Sequence, residues 1–235
     1  MLDVEKVFSQ KKEALIALLF LVCFLFVAYF RSAFYSINLD VNSWTEAFNV
    51  GFFTETAKLV SVGFDTVPLI VASLVIAFFL FILRYRRYSI LLLSAMAGDA
   101  LLVEFFKSLI ASPRPLNGLI VETGYSFPSG HTTSSVVLFG ILVYIVWRQC
   151  KNMNVKLLAV GLYVLEVGVV GFDRVYLNVH WFSDVLGALF LGAFWVAFCI
   201  WMFKSFGTKS DLDLVKSNQE KSGGNLTFSL LHFLN

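Results

Sequence analysis

Within twelve residues, Asp173 to Asp184, the chain sets one arginine (Arg174), one histidine (His180) and two aspartates between two long apolar segments. His180 and Asp184 are four positions apart, which puts them on one face if that segment is helical. A carboxylate so placed can hold one imidazole nitrogen and leave the other free to react. Taken alone, the pair also suits a structural hydrogen bond or half of a metal site. Two further clusters carry related chemistry. Lys107 to Pro115 sets Lys107 and Arg114 around a proline-stiffened turn, and Tyr125 to Thr133 brings Ser129, Gly130 and His131 to the start of another apolar segment.

Phosphoryl transfer needs these parts together. A phosphoryl group carries its charge on three oxygens, and Lys107, Arg114 and Arg174 are suited to neutralise that charge as it redistributes. Gly130 has no Cβ, so its backbone N–H can approach an anion, and the free N–H groups at a helix start favour negative charge. Ser129 adds a hydroxyl. His180 suits the nucleophile, with Asp184 accepting a hydrogen bond from its other nitrogen, and His131 suits the general acid for the leaving oxygen. Asp173 would repel phosphate unless it pairs with Arg174, so it is expected to orient that arginine. Glu104, about one turn below Lys107, and Glu166, about 11 Å deeper than Asp173 and Arg174, are expected to pair structurally inside the bundle, with Glu104 a candidate support for the site.

The elements that must position these residues are membrane helices. Of 235 residues, 58% are hydrophobic and 14% charged, with mean hydropathy +0.79. The apolar residues come in long runs, which implies a polytopic membrane protein. The expected fold is all-α: six transmembrane helices in a bundle, over 14–30, 67–83, 89–111, 131–147, 156–172 and 181–203. An interfacial amphipathic helix is expected over 44–64, in the first outer loop, where aromatic residues alternate with charges. The first apolar run is too long for a signal peptide and reads as a span. Residues 1–206 form the expected domain, and 207–235 a cytoplasmic tail expected to be disordered. Cys23, Cys150 and Cys199 show no paired spacing, and no metal or cofactor is expected. No basic block suggests nucleic acid. With both termini in the cytoplasm, thirteen of the eighteen basic residues fall on the inner side, which puts all three polar clusters on the outer face.

The K-x6-R-P pattern from Lys107 to Pro115, the P-S-G-H of Pro128 to His131 and the R-x5-H-x3-D of Arg174 to Asp184 resemble the three-part signature of the type 2 phosphatidic acid phosphatase superfamily. That family includes integral-membrane lipid phosphatases and soluble vanadium haloperoxidases; the hydrophobicity of this chain fits only the former. The resemblance implies a metal-independent phosphatase with a phosphohistidine intermediate. It assigns His180 as nucleophile, Asp184 as its orienter, His131 as acid, and Lys107, Arg114, Ser129, Gly130 and Arg174 as phosphate binders. One position departs: the family usually has Ser where this chain has Asp173. The expected substrate is a lipid phosphate or diphosphate in the bilayer, first an undecaprenyl-type polyprenyl diphosphate, alternatively phosphatidylglycerol phosphate or phosphatidic acid. A rival from another class is a lipid-phosphate binding or transporting protein without turnover; intact His131, His180 and Asp184 count against it.

Overall fold

A computed structural model describes residues 4–48 and 50–205. The expected tail, 207–235, lies outside the described residues. Among the described residues, eight α-helices follow one another: α1 Val4–Phe30, α2 Tyr35–Ala47, α3 Gly51–Gly63, α4 Thr66–Ile82, α5 Arg86–Ile110, α6 Gly130–Gln149, α7 Met153–Tyr176 and α8 Phe182–Ser205. A 3-10 turn, Arg31–Phe34, joins α1 to α2, and the described residues contain no strand. Among the described residues, five segments are long and apolar enough to cross a membrane: Lys11–Ala47, α5, α6, α7 and α8. A sixth arises if α3 and α4, which meet at a 50° bend, form one broken span. The chain is thus a multi-pass, all-α membrane protein.

The single interfacial helix expected over 44–64 forms instead as two, α2 and α3. The backbone leaves the helical region at Val50 (φ −106°, ψ 133°), next to Gly51, and glycine is a poor residue with which to continue a helix. Both helices turn small and polar residues inward: Asn38, Asn42 and Thr45 from α2, and Thr54, Ala57 and Ser61 from α3. Their large apolar residues, among them Trp44, Phe52 and Leu59, are exposed. That pattern suits helices packed on protein on one side and lipid on the other.

At the centre lies α6, packed against α5, α7 and α8, while α1 packs along α8 and α4 along α5. Leu92 and Ala95 of α5, Val137, Leu138 and Ile141 of α6, and Cys199 of α8 form one core. Glycines let the helices approach closely. A Cβ on Gly98 would sit 2.1 Å from the Trp195 ring, whose Nε1 donates to the Ala95 carbonyl at 2.8 Å. A Cβ on Gly187 would meet the Phe127 ring at 2.5 Å, so that ring lies directly on α8.

The helices from α5 to α8 alternate in direction, so the C-terminal ends of α5 and α7 meet the N-terminal ends of α6 and α8. α5 stops at Ala111, in the left-handed region (φ 50°, ψ 40°), just before the Pro113 and Pro115 turn, where a helix cannot continue. α7 ends at Tyr176, and Asn178 takes a positive φ of 56°, which asparagine tolerates better than most residues.

Glu104 corrects an expectation. It is exposed on the outer side of α5, beside Leu101, Phe105, Ser108 and Leu109, and does not face the bundle. Asp99 faces inward and accepts from Ser134 Oγ at 2.6 Å; Glu104 is five residues on, about 140° further round the helix. Glu166 lies beside Ser135 of α6, with both carboxyl oxygens buried and without a hydrogen bond.

Candidate active site

The first turn of α8 and the turn before it hold His180. Asp184 Oδ2 accepts the Trp181 N–H at 2.8 Å and lies 3.3 Å from His180 Nδ1. The backbone N–H groups of Val179 and His180 both donate to the Arg174 carbonyl at 3.3 Å, folding the turn back on the end of α7. His180 is 1% exposed. On the other side of the ring, Arg114 Nη1 stands 3.2 Å from Nε2. A guanidinium can only donate, so Nε2 must present its lone pair and the ring proton must sit on Nδ1, donated to Asp184. Burial, then the charges of Arg114, Lys107 and Arg174, push the His180 pKa well below its usual 6.5. The imidazole is therefore neutral near pH 7.

Arg114 is fixed by three carbonyls: Nε donates to Gly124 at 3.1 Å, Nη2 to Thr123 at 3.0 Å and Nη1 to Val179 at 2.9 Å. Arg174, fully buried, donates from Nε to Asp173 Oδ2 at 3.0 Å, and its Nη2 contacts the same oxygen. Its remaining arm, Nη1, reaches Glu122 Oε1 at 3.3 Å. Lys107 Nζ stands 3.8 Å from where a Cβ on Gly130 would be, so the ammonium overlies the first residue of α6. Ser129 caps that helix in an extended conformation; its N–H donates to the Asp184 carbonyl at 3.3 Å, joining the α6 and α8 starts. Within electrostatic reach of His131 lie Arg174, His180 and Lys107.

The structure thus gathers Lys107, Arg114, Ser129, Gly130, His131, Arg174, His180 and Asp184 at one end of the bundle, with Asp173 against Arg174. Glu104, exposed on the outer side of α5, is not gathered with them but lies within electrostatic reach of Lys107. Several neighbours escaped the sequence reading. Asp65, which caps α4 through Thr66 N at 2.6 Å, lies 3.6 Å from His131 Nε2. Glu122 is the only acid in the segment between α5 and α6, and that was its one available signal. From α2, Asn38 donates to Ser183 Oγ and accepts Ser183 N–H, both at 3.0 Å, and Glu46 Oε1 accepts from Asn178 at 2.7 Å. Among the described residues, no three His, Cys, Asp or Glu side chains gather as a metal site requires.

A neutral imidazole, three cations and a helix N-terminus at one end of the bundle are groups able to hold a tetrahedral oxyanion and attack its centre. Known membrane phosphatases are similar to this chain. The PAP2 superfamily pattern matches residues 87–207. Phosphatidylglycerophosphatase B of Bacillus subtilis is 33% identical over 128 residues, 53% of this chain and 61% of that protein. Undecaprenyl-diphosphatase of Sulfolobus acidocaldarius is 30% identical over 144 residues, 57% of this chain and 63% of that protein. The chain therefore spans less than two thirds of either relative. The crystal structure of a transmembrane PAP2 type phosphatidylglycerolphosphate phosphatase from Bacillus subtilis superposes with a TM-score of 0.77 at 22% identity, covering 83% of this chain and 98% of that one.

Proposed function

The chain belongs to the PAP2 superfamily, and from that premise we propose that it is an integral-membrane phosphatase removing the terminal phosphate of a lipid phosphate or diphosphate. Lys107, Arg114 and Arg174, with the Gly130 N–H and the Ser129 hydroxyl, hold the phosphate oxygens. His180 Nε2 attacks phosphorus; the bond to the leaving oxygen breaks as that oxygen takes a proton from His131. Asp184 stabilises the cationic phosphohistidine through Nδ1–H, and Asp65 Oδ1 stands 3.6 Å from His131 Nε2. Water then attacks phosphorus and gives a proton to His131, and the P–N bond breaks to free phosphate and His180. Asp173 steers Arg174 and makes no contact with phosphate.

The observation that carries this reading is the His180 ring, with Nδ1 against Asp184 and Nε2 turned toward the cations. Arg84, Arg86, Arg87, Arg148, Lys151, Lys156 and Lys204 lie at the helix ends away from the site, which supports an outer-face site and cytoplasmic termini. An outward site favours polyprenyl diphosphate, which is left on that face after its glycan has been transferred. The name of the Bacillus subtilis relative favours phosphatidylglycerol phosphate as the second reading. A phosphate-release assay in detergent on polyprenyl diphosphate, phosphatidylglycerol phosphate and phosphatidic acid decides between them. Activity should survive chelation, be abolished by vanadate and vanish in His180→Ala; equal release from the variant would sink the phosphatase reading.

A further inference from the structure

The carboxylate of Glu122 sits between the two arginines of the site. Oε1 is 3.3 Å from Arg174 Nη1 and Oε2 is 3.8 Å from Arg114 Nη2. Neither arginine needs it for orientation. Asp173 already takes Nε and Nη2 of Arg174, and three backbone carbonyls take Nε, Nη2 and Nη1 of Arg114. Glu122 therefore meets the one arm of Arg174 that Asp173 leaves open. A planar carboxylate on two guanidiniums presents the same oxygens to the same donors as one face of a phosphate.

Its setting lets it leave. Upstream, the Leu119 N–H is bonded to the Leu177 carbonyl at 2.9 Å, and downstream Thr123 and Gly124 are pinned by Arg114. The Glu122 side chain itself is 23% exposed, and neighbouring Val121 is 95% exposed. A rotamer change can carry the carboxylate toward solvent while the backbone stays in place.

We propose that Glu122 is a tethered anion that occupies the phosphate seat between turnovers and must be displaced by the substrate phosphate. This rests on the phosphatase reading above. A tethered competitor weakens every phosphate-like ligand by one common factor, the inverse of the fraction of sites it leaves open. It also returns to the arginines as product phosphate departs, which keeps phosphate from lingering.

The test uses full-length protein in detergent, with inorganic phosphate and orthovanadate as probes, binding being followed by calorimetry and by tryptophan fluorescence. Glu122→Gln and Glu122→Ala should bind both anions about tenfold more tightly if the seat is open about a tenth of the time. Glu122→Asp, with a shorter reach, should fall between them and the parent. KM for the lipid should fall in parallel. Weaker binding in Glu122→Gln and Glu122→Ala would mean that Glu122 positions the arginines, and unchanged binding that it never competes; either overturns the proposal. Binding needs no turnover, so a parent that binds phosphate but releases none from lipid refutes the phosphatase reading while the tether is still judged. Failure of the parent and of every Glu122 variant to bind either anion overturns both.

Discussion

Asp184→Asn isolates the charge that the mechanism asks of the carboxylate. The amide keeps the size of the side chain, and its oxygen can still accept the Trp181 N–H that Asp184 holds at 2.8 Å. What disappears is a negative charge 3.3 Å from His180 Nδ1. A unit charge pair at that distance is worth about 5 kcal/mol at an effective dielectric of about 20. The parent imidazole is neutral, so this energy is absent from the free enzyme and arises as the ring becomes cationic on phosphorylation. At about 1.4 kcal/mol per tenfold, nearly four decades of rate are at stake, and the retained hydrogen bond reduces that to about a thousandfold in kcat. KM should change little, since Lys107, Arg114 and Arg174 still hold phosphate. Steady-state kinetics on the preferred lipid, with acid-quenched detection of phosphohistidine, would measure it, and an unchanged melting temperature would show that the bundle is intact. A variant within tenfold of the parent kcat would refute the role given to Asp184.

The other outcomes follow from the same structure. Because the proposed attack needs a neutral His180, whose pKa lies well below 6.5, kcat/KM should hold as pH falls through 6.5 and drop only below it. Arg114→Gln removes a cation 3.2 Å from Nε2, so the imidazole becomes easier to protonate and the acid limb should move up toward neutral pH; an unmoved limb counts against this electrostatic account. Asn38→Leu breaks both bonds to Ser183 and should lower stability by about 2 kcal/mol, read as a lower melting temperature in detergent. Gly187→Ala would drive a methyl into the buried Phe127 ring at 2.5 Å, costing about 1–3 kcal/mol and shifting the turn that carries Ser129 and Gly130, with a raised phosphate Kd as the readout. Gly161→Ala, where nothing lies within 4 Å of the new Cβ, should be silent.

The residues that stood out in the sequence were charged or catalytic types at the rims of apolar runs. Such residues have few structural excuses in a membrane protein, which is why Lys107, Arg114, His131, Arg174, His180 and Asp184 could be gathered before any coordinates. Asp65 and Glu122 were hidden for a different reason. Each reaches the site from an element whose position depends on how helices pack, and a helix cap or a lone loop acid carries no mark of what it will face. The side on which Glu104 lies was illegible too, because α5 is apolar almost all round and its rotation is set by Gly98 under Trp195 and by Asp99 against Ser134. The break between α2 and α3 depends on a few residues around Val50, where pattern over a longer window averages the signal away.

The most extensive helix contact joins the first helix, α1, to the last described, α8, with Phe20 against Phe190 at 6.5 Å and Glu13 paired with Lys204. Synthesis delivers these two surfaces far apart in time. α1 enters the bilayer before α8, so Phe24 and Val27, both buried in the finished bundle, face lipid until α8 is made. Packing of α1 therefore waits until α8 is made, and a ribosome that stops before α8 leaves α1 without its partner and the site without Asp184.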